Sequence, residues 1–218
     1  MDRVTFKETL SDFFDAVFSV NAPLLKTLRL LFLNPGKLFR EYLSGKRKTY
    51  YKPVAFFIII TVVHILIRNL IEFDALENVK VQKREGYDTT LTVAAGKFMF
   101  QNVNNFLFVF VGTMALMLKM FFYKRYFLAE YVAVSFYMVA AYTIIGTFNA
   151  FFMKFVDNSI QYLAIIAMLI YYCLALVSYF KKPAFWIIVK GFFSYVFATI
   201  LYMIIAYGIS FLIVWSRS

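Results

Sequence analysis

Residues 53–71 read PVAFFIIITVVHILIRNLI. A helix needs about 20 mainly apolar residues to cross a bilayer, at about 1.5 Å per residue. This run meets that length, and its only ionisable groups are His64 and Arg68. Its reading as a membrane span rests on length and apolarity and sets the class of the whole chain.

Four further segments of the same kind follow, over residues 105–122, 131–153, 160–180 and 191–215. The second can begin earlier, near Phe98, if Gln101, Asn102, Asn104 and Asn105 lie on its bundle face. The composition agrees: 62% of residues are hydrophobic and 16% charged. A soluble domain, with about 25% charged residues, could not hide so much apolar surface. The expected fold is all-α, a polytopic membrane protein with a bundle of about five transmembrane helices and short amphipathic N-terminal helices. Residues 1–52 form a basic interfacial segment and 53–218 the transmembrane domain.

Charge placement predicts the orientation. Arg3, Lys7, Lys26, Arg29, Lys37, Arg40, Lys46, Arg47, Lys48 and Lys52 precede the first span. Lys119, Lys124 and Arg125 fall between the second and third spans, and Lys181, Lys182 and Lys190 between the fourth and fifth. The other side carries fewer cations, among them Arg68, Lys80, Lys97 and Lys154. The N-terminus is expected in the cytoplasm and the C-terminus outside. The opening MDRVTFKETLSDFFD has no continuous apolar run, so a cleaved signal peptide is not expected. The longest connection, from Glu72 to about Lys97, mixes acids and bases. Its Gly86 and the Thr-rich run behind it suggest a turn and a short strand.

The net charge of +11 finds no nucleic-acid-binding module to serve. It is read as topology plus attraction to anionic lipid, with no nucleic acid as partner.

Before the first span, Thr5 and Glu8 have capping-box spacing, and Phe6, Leu10, Phe13, Phe14, Val17 and Phe18 recur at helical spacing. A second helix is expected from Asn21 or Pro23 through LLKTLRLLFL, ended by Asn34-Pro35-Gly36. A third runs from Lys37 to Ser44 with Gly45 as its stop. Lys46, Arg47, Lys48 and Lys52, with Tyr50 and Tyr51, then form a candidate lipid-headgroup site. Such a cluster attracts anionic lipid at about 1 kcal/mol per cation. The plainer reading is a topology determinant and interfacial anchor.

Thr27-Leu28, Asn34-Pro35-Gly36-Lys37, Arg40-Glu41-Tyr42-Leu43, Gly45-Lys46-Arg47-Lys48, Tyr50 and Pro53 make up one pattern. It resembles a bacterial membrane family catalogued as domain of unknown function 3667, over about residues 4–75. The resemblance implies a multi-pass protein of the bacterial inner membrane and supplies no activity. Members often carry a Cys-rich, zinc-ribbon-like segment ahead of this motif. The cysteines of that segment are not in this sequence, and no metal site is carried over.

Thr61, His64, Arg68 and Glu72 follow steps of three and four on the first span and share a face. With Gln101, Asn105 and Asn149 they form a candidate ligand-binding pocket in the outer half, for a lipid headgroup, an anion or water. Asp157, Asn158 and Gln161 are expected at the same depth. The alternative is that the amides join helices by hydrogen bonds, Arg68 snorkels to the interface and His64 packs. Gly112, Ala115, Gly146, Gly191, Ser194 and Ala198 are small residues suited to helix contacts.

No paired intramembrane carboxylates, phosphate-binding Gly loop, G-x-S-x-G or H-E-x-x-H occurs. Ser135, Ser178 and Ser194 have no histidine partner except His64. One cysteine, Cys173, and one histidine exclude a Cys- or multi-His metal site. No catalytic residue, metal or cofactor is assigned. A non-enzymatic membrane scaffold or lipid-interacting protein fits best, its partners being anionic lipids and a protein partner or second copy. The alternatives are a transporter or channel for a small or anionic solute, and a lipid-modifying enzyme dependent on His64.

Overall fold

The computed structural model describes residues 22–73, 90–156, 163–181 and 184–217. The Thr5–Phe18 helix, the Gly86 turn and Asp157, Asn158 and Gln161 lie outside the described residues. Among those described there is no strand, and helices follow one another throughout. They are α1 (22–33), α2 (Pro35–Leu43), α3 (Pro53–Leu70), α4 (Thr90–Gln101) and α5 (Val103–Phe121), then α6 (Leu128–Phe155), α7 (Leu163–Phe180) and α8 (Ala184–Trp215). Five of these, α3, α5, α6, α7 and α8, are long and apolar enough to cross a membrane. The protein is an all-α, polytopic membrane bundle.

α6 is the centre. α3 and α5 pack on it, α7 joins it to α8, and α8 lies along α5. Its faces carry Tyr131, Tyr137, Met138, Val139 and Ala140, all buried. Outward-facing Val62, Leu66, Ile166, Ile170, Leu174, Ile204 and Leu212 are exposed. In water such a belt would drive aggregation, whereas in a bilayer it is the lipid-facing surface.

Three expectations change. Two spans are longer than hydropathy alone marked: α6 starts at Leu128, and α8 starts at Ala184, so that Lys190 lies inside a helix instead of a connection. The Thr-rich run opens helix α4. Burial of Ala95 and Met99, with α4 packed on α8, outweighs the β preference of threonine. Finally, α5 does not begin at Phe98 or Asn105. Asn102 separates α4 from α5, its side-chain amide and its N–H both donating to the Phe98 carbonyl, at 2.9 and 3.0 Å.

Small residues divide. Ala115, Gly191, Ser194 and Ala198 are buried in helix contacts, and Gly191 meets Leu176 and Cys173 of α7. Gly112 and Gly146 face open space, so they do not mark contacts.

The connectivity sets two ends. α3, α6 and α8 start at one end, and α5 and α7 finish there. Tyr131 donates to the Phe122 carbonyl at 2.8 Å, and the Phe122 and Phe180 rings stack at 4.4 Å. This end also carries α1, α2 and their cations, and is here called the basic end. At the opposite end Lys154 of α6 donates to the Glu72 carbonyl at 3.1 Å.

Candidate functional site

The motif segment meets the bundle at the basic end. Asn34 stops α1 and caps α2, its Oδ1 accepting from the Lys37 N–H at 3.1 Å with Pro35 at the first helical position. α2 therefore begins two residues before the expected Lys37. Gly36 lies against α7 so closely that a Cβ there would sit 2.2 Å from both the carbonyl carbon and the oxygen of Ser178. Only glycine permits that approach. Its N–H donates to Ser178 Oγ at 3.3 Å, and Ser178 Oγ donates to Asn34 Oδ1 at 3.2 Å. Ser178, weighed above as a nucleophile, is a docking contact.

Arg40 lies one turn further along α2. Its Nη1 donates to the Ser178 and Tyr179 carbonyls, the latter at 2.9 Å. Arg125, from the α5–α6 connection, reaches the Phe180 carbonyl at 3.3 Å. Two guanidinium groups thus satisfy the last carbonyls of α7 and meet the negative end of its dipole. Behind them Thr27 Oγ1 accepts from the Tyr51 N–H at 2.9 Å, and Tyr137 donates to the Tyr51 carbonyl at 2.5 Å. Tyr171 donates to the Leu31 carbonyl at 2.9 Å. Phe39 packs on Tyr137 and Tyr179. The segment is clamped along its length.

Gly45, with φ of 101°, ends α2 as expected. The candidate headgroup residues then separate. Lys46, Arg47, Lys48 and Lys52 are exposed. Tyr50 is buried, its hydroxyl donating to Glu41, with the Lys26 ammonium 5.5 Å from its ring centre. Burial, then the Glu41 hydrogen bond, pushes the Tyr50 phenol up to about 12; the same bond holds the Glu41 carboxyl below its ordinary range. Lys46 closes the group, 3.4 Å from Glu41. Tyr50 and Tyr51 tie the loop down, and the lysines and Arg47 face outward.

α1 has two working faces. Thr27 and Leu31 are buried on the bundle, while Leu25, Lys26, Arg29, Phe32 and Leu33 are exposed on the other side. α1 thus exposes leucines and phenylalanine beside two cations, the pattern of an amphipathic helix.

Among the described residues the outer-half candidates contact different neighbours. His64 Nδ1 lies 2.7 Å from Thr147 Oγ1, joining α3 to α6. Arg68 stacks over Phe73 at 5.5 Å, and Glu72 is exposed beside Lys154. Gln101 and Asn105 are exposed at the α4–α5 break, where Asn105 reaches Asn102 at 3.5 Å. Asn149 is buried, its amide on Met153 of its own helix at 3.3 Å. Among the described residues no group of His, Cys, Asp and Glu is arranged to hold a metal ion.

Fold and site define a multi-pass helical membrane protein whose amphipathic entry segment is docked on its own spans. Residues 22–65 match the model of the family described as "Protein of unknown function (DUF3667)". The chain resembles that family over this stretch, which holds α1, α2 and the first part of α3. No curated protein and no solved structure matches the chain.

Proposed function

We propose that the protein is a non-enzymatic, lipid-interacting scaffold of a bacterial inner membrane. Its N-terminal side faces the cytoplasm and its C-terminus lies outside. The observation that carries this reading is the two-faced α1–α2 platform. One face is clamped to α6 and α7 by Gly36, Arg40 and Tyr137. The other offers Lys26, Arg29 and the exposed Lys46, Arg47, Lys48 and Lys52. The positive-inside rule places this end in the cytoplasm, where anionic headgroups attract each cation by about 1 kcal/mol. Native mass spectrometry of the protein in a mild detergent tests it. Retained anionic lipid, reduced by K46Q/R47Q/K48Q, is expected. A protein free of lipid, or one whose lipid ignores charge, would overturn the reading.

A second reading is binding of a small or anionic solute in the outer half. It is favoured by Thr61 Oγ1 and Asn149 Oδ1, which are buried without a hydrogen-bond partner near His64 and along α6. Solute flux into proteoliposomes, lost in His64→Ala, would support it. Absence of flux for every anion tried would remove it.

A further inference from the structure

A second basic feature lies at the same end, on residues separate from the platform. The ends of α5 and α7 and the start of α8 enclose an open crevice of about 340 Å³. Phe121, Phe180 and Trp186 wall it, and Lys124, Arg125 and Lys190 line it. Lys124 and Arg125 stood in the sequence as topology charges and Lys190 as part of a connection. Placing Lys190 in α8, one turn beyond Trp186, brings the three together.

We propose that this crevice binds the phosphate of one anionic phospholipid, whose acyl chain runs down the lipid-facing groove between α5 and α8. The inference rests on the lipid-interacting reading above and gives it a specific site. Three observations carry it.

The first is charge. Among the described residues none of the three cations is paired with a carboxylate. Glu130, in the first turn of α6, is engaged, accepting from the Phe127 N–H at 2.6 Å. Two or three uncompensated cations in a concave site select an anion.

The second is construction. Arg125 is held at the lip by the Phe180 carbonyl and by its stacking over the Phe180 ring, 5.1 Å from centroid to guanidinium. Five N–H donors on a guanidinium leave some free for phosphate oxygens while one is so engaged. The volume suits a headgroup and is too small for a whole lipid.

The third is what continues from the crevice. Lys190 stands six residues into α8, about 9 Å along its axis, so the anion site reaches toward the membrane instead of out to water. Beyond it Phe193 and Phe197 follow on the same face, each about half exposed, with Phe121 stacked on Phe197 at 6.1 Å. Trp186 is exposed at the mouth, where indoles favour the interface. A soluble anion has no use for that apolar track, but an acyl chain does.

The protein's two tryptophans are Trp186 and Trp215, which supplies a local reporter. In a Trp215→Phe background, Trp186 fluorescence is measured in phosphatidylcholine vesicles containing phosphatidylglycerol brominated on its acyl chains. Quenching is expected to saturate at a low mole fraction of the anionic lipid. Lys124→Gln with Lys190→Gln, both exposed side chains, is expected to weaken it about 30-fold, at about 1 kcal/mol per charge. K46Q/R47Q/K48Q should leave it in place. Brominated phosphatidylcholine quenching equally well would overturn the proposal. So would quenching that follows the 46–48 run instead of Lys124 and Lys190, although the lipid-interacting reading would then stand. Displacement by millimolar inorganic phosphate would show that the crevice takes the free anion and would overturn the lipid assignment.

Discussion

The two ends of the bundle are held together differently. At the basic end, contacts join residues far apart in sequence, with Gly36 and Arg40 on Ser178 and Tyr179, Leu31 on Tyr171 and Tyr51 on Tyr137. Most of these use backbone atoms on one side, so they read position in space and not side-chain identity. At the opposite end the ties among the described residues include His64 on Thr147, Lys154 on the Glu72 carbonyl and Tyr207 on the Thr92 carbonyl at 3.4 Å. The motif that resembles the family lies entirely at the first end. Its residues are used to dock a segment on its own spans, while Arg47, Lys48 and Lys52 stay exposed.

That contrast makes graded predictions. The largest effect belongs to Gly36→Ala, since its methyl would overlap the Ser178 backbone. A loss above the usual overpacking cost of about 3 kcal/mol is expected, because main-chain atoms cannot rotate away, read as a lower detergent melting temperature. Ser178→Ala should not rescue it, because the clash is with main-chain atoms. Gly112→Ala, inside α5 with nothing nearby, should cause no loss and can add about 0.5–1 kcal/mol of helix stability. Equal effects at the two glycines would erase the contrast.

Arg40→Gln should come next. It removes charged donors from two terminal carbonyls of α7, and a hydrogen bond to a charged group contributes about 1.5–3 kcal/mol. His64→Ala at the opposite end should cost less, about 0.6 kcal/mol for an interhelical hydrogen bond in a membrane. A larger loss at His64 than at Arg40 in the same melting assay would reverse the ranking.

pH probes the clamp without mutation. The Tyr50 phenol is raised from 10.0 to about 12, so its contribution is complete below about pH 10 and is lost as pH rises toward 12. Glu41 is lowered from 4.5, so its contribution is present above that value and lost as pH falls below it. Cleavage after Lys46, Arg47 or Lys48 by a protease active across the range should stay slow between these limits and quicken at both extremes. Tyr50→Phe should abolish the alkaline change.

Much of this was legible beforehand, and the reasons differ by region. Five spans announce themselves because a bilayer demands about 20 apolar residues each. The α1–α2 break follows from Asn34-Pro35-Gly36, whose cap and ring geometry act locally. The partners of Arg40 were not legible. Backbone carbonyls carry no sequence signal, and the helix they end lies far along the chain. Arg40 therefore read as one topology charge among many. Gly36 offered the available clue, a glycine just inside a helix start where nothing local requires one. Within the outer-half set, helical phase divides the contacts. Residues at one depth need not face one another, and Gln101 and Asn105 face outward while His64 meets α6.

Hydrogen exchange over residues 35–43, in zwitterionic nanodiscs, tests the central claim that the motif segment is docked on α7. The account predicts amides as slow as those of α7 in the wild type, and fast in Gly36→Val while α5 and α8 stay protected. Rapid exchange of this segment in the wild type, or no change in Gly36→Val, would contradict it.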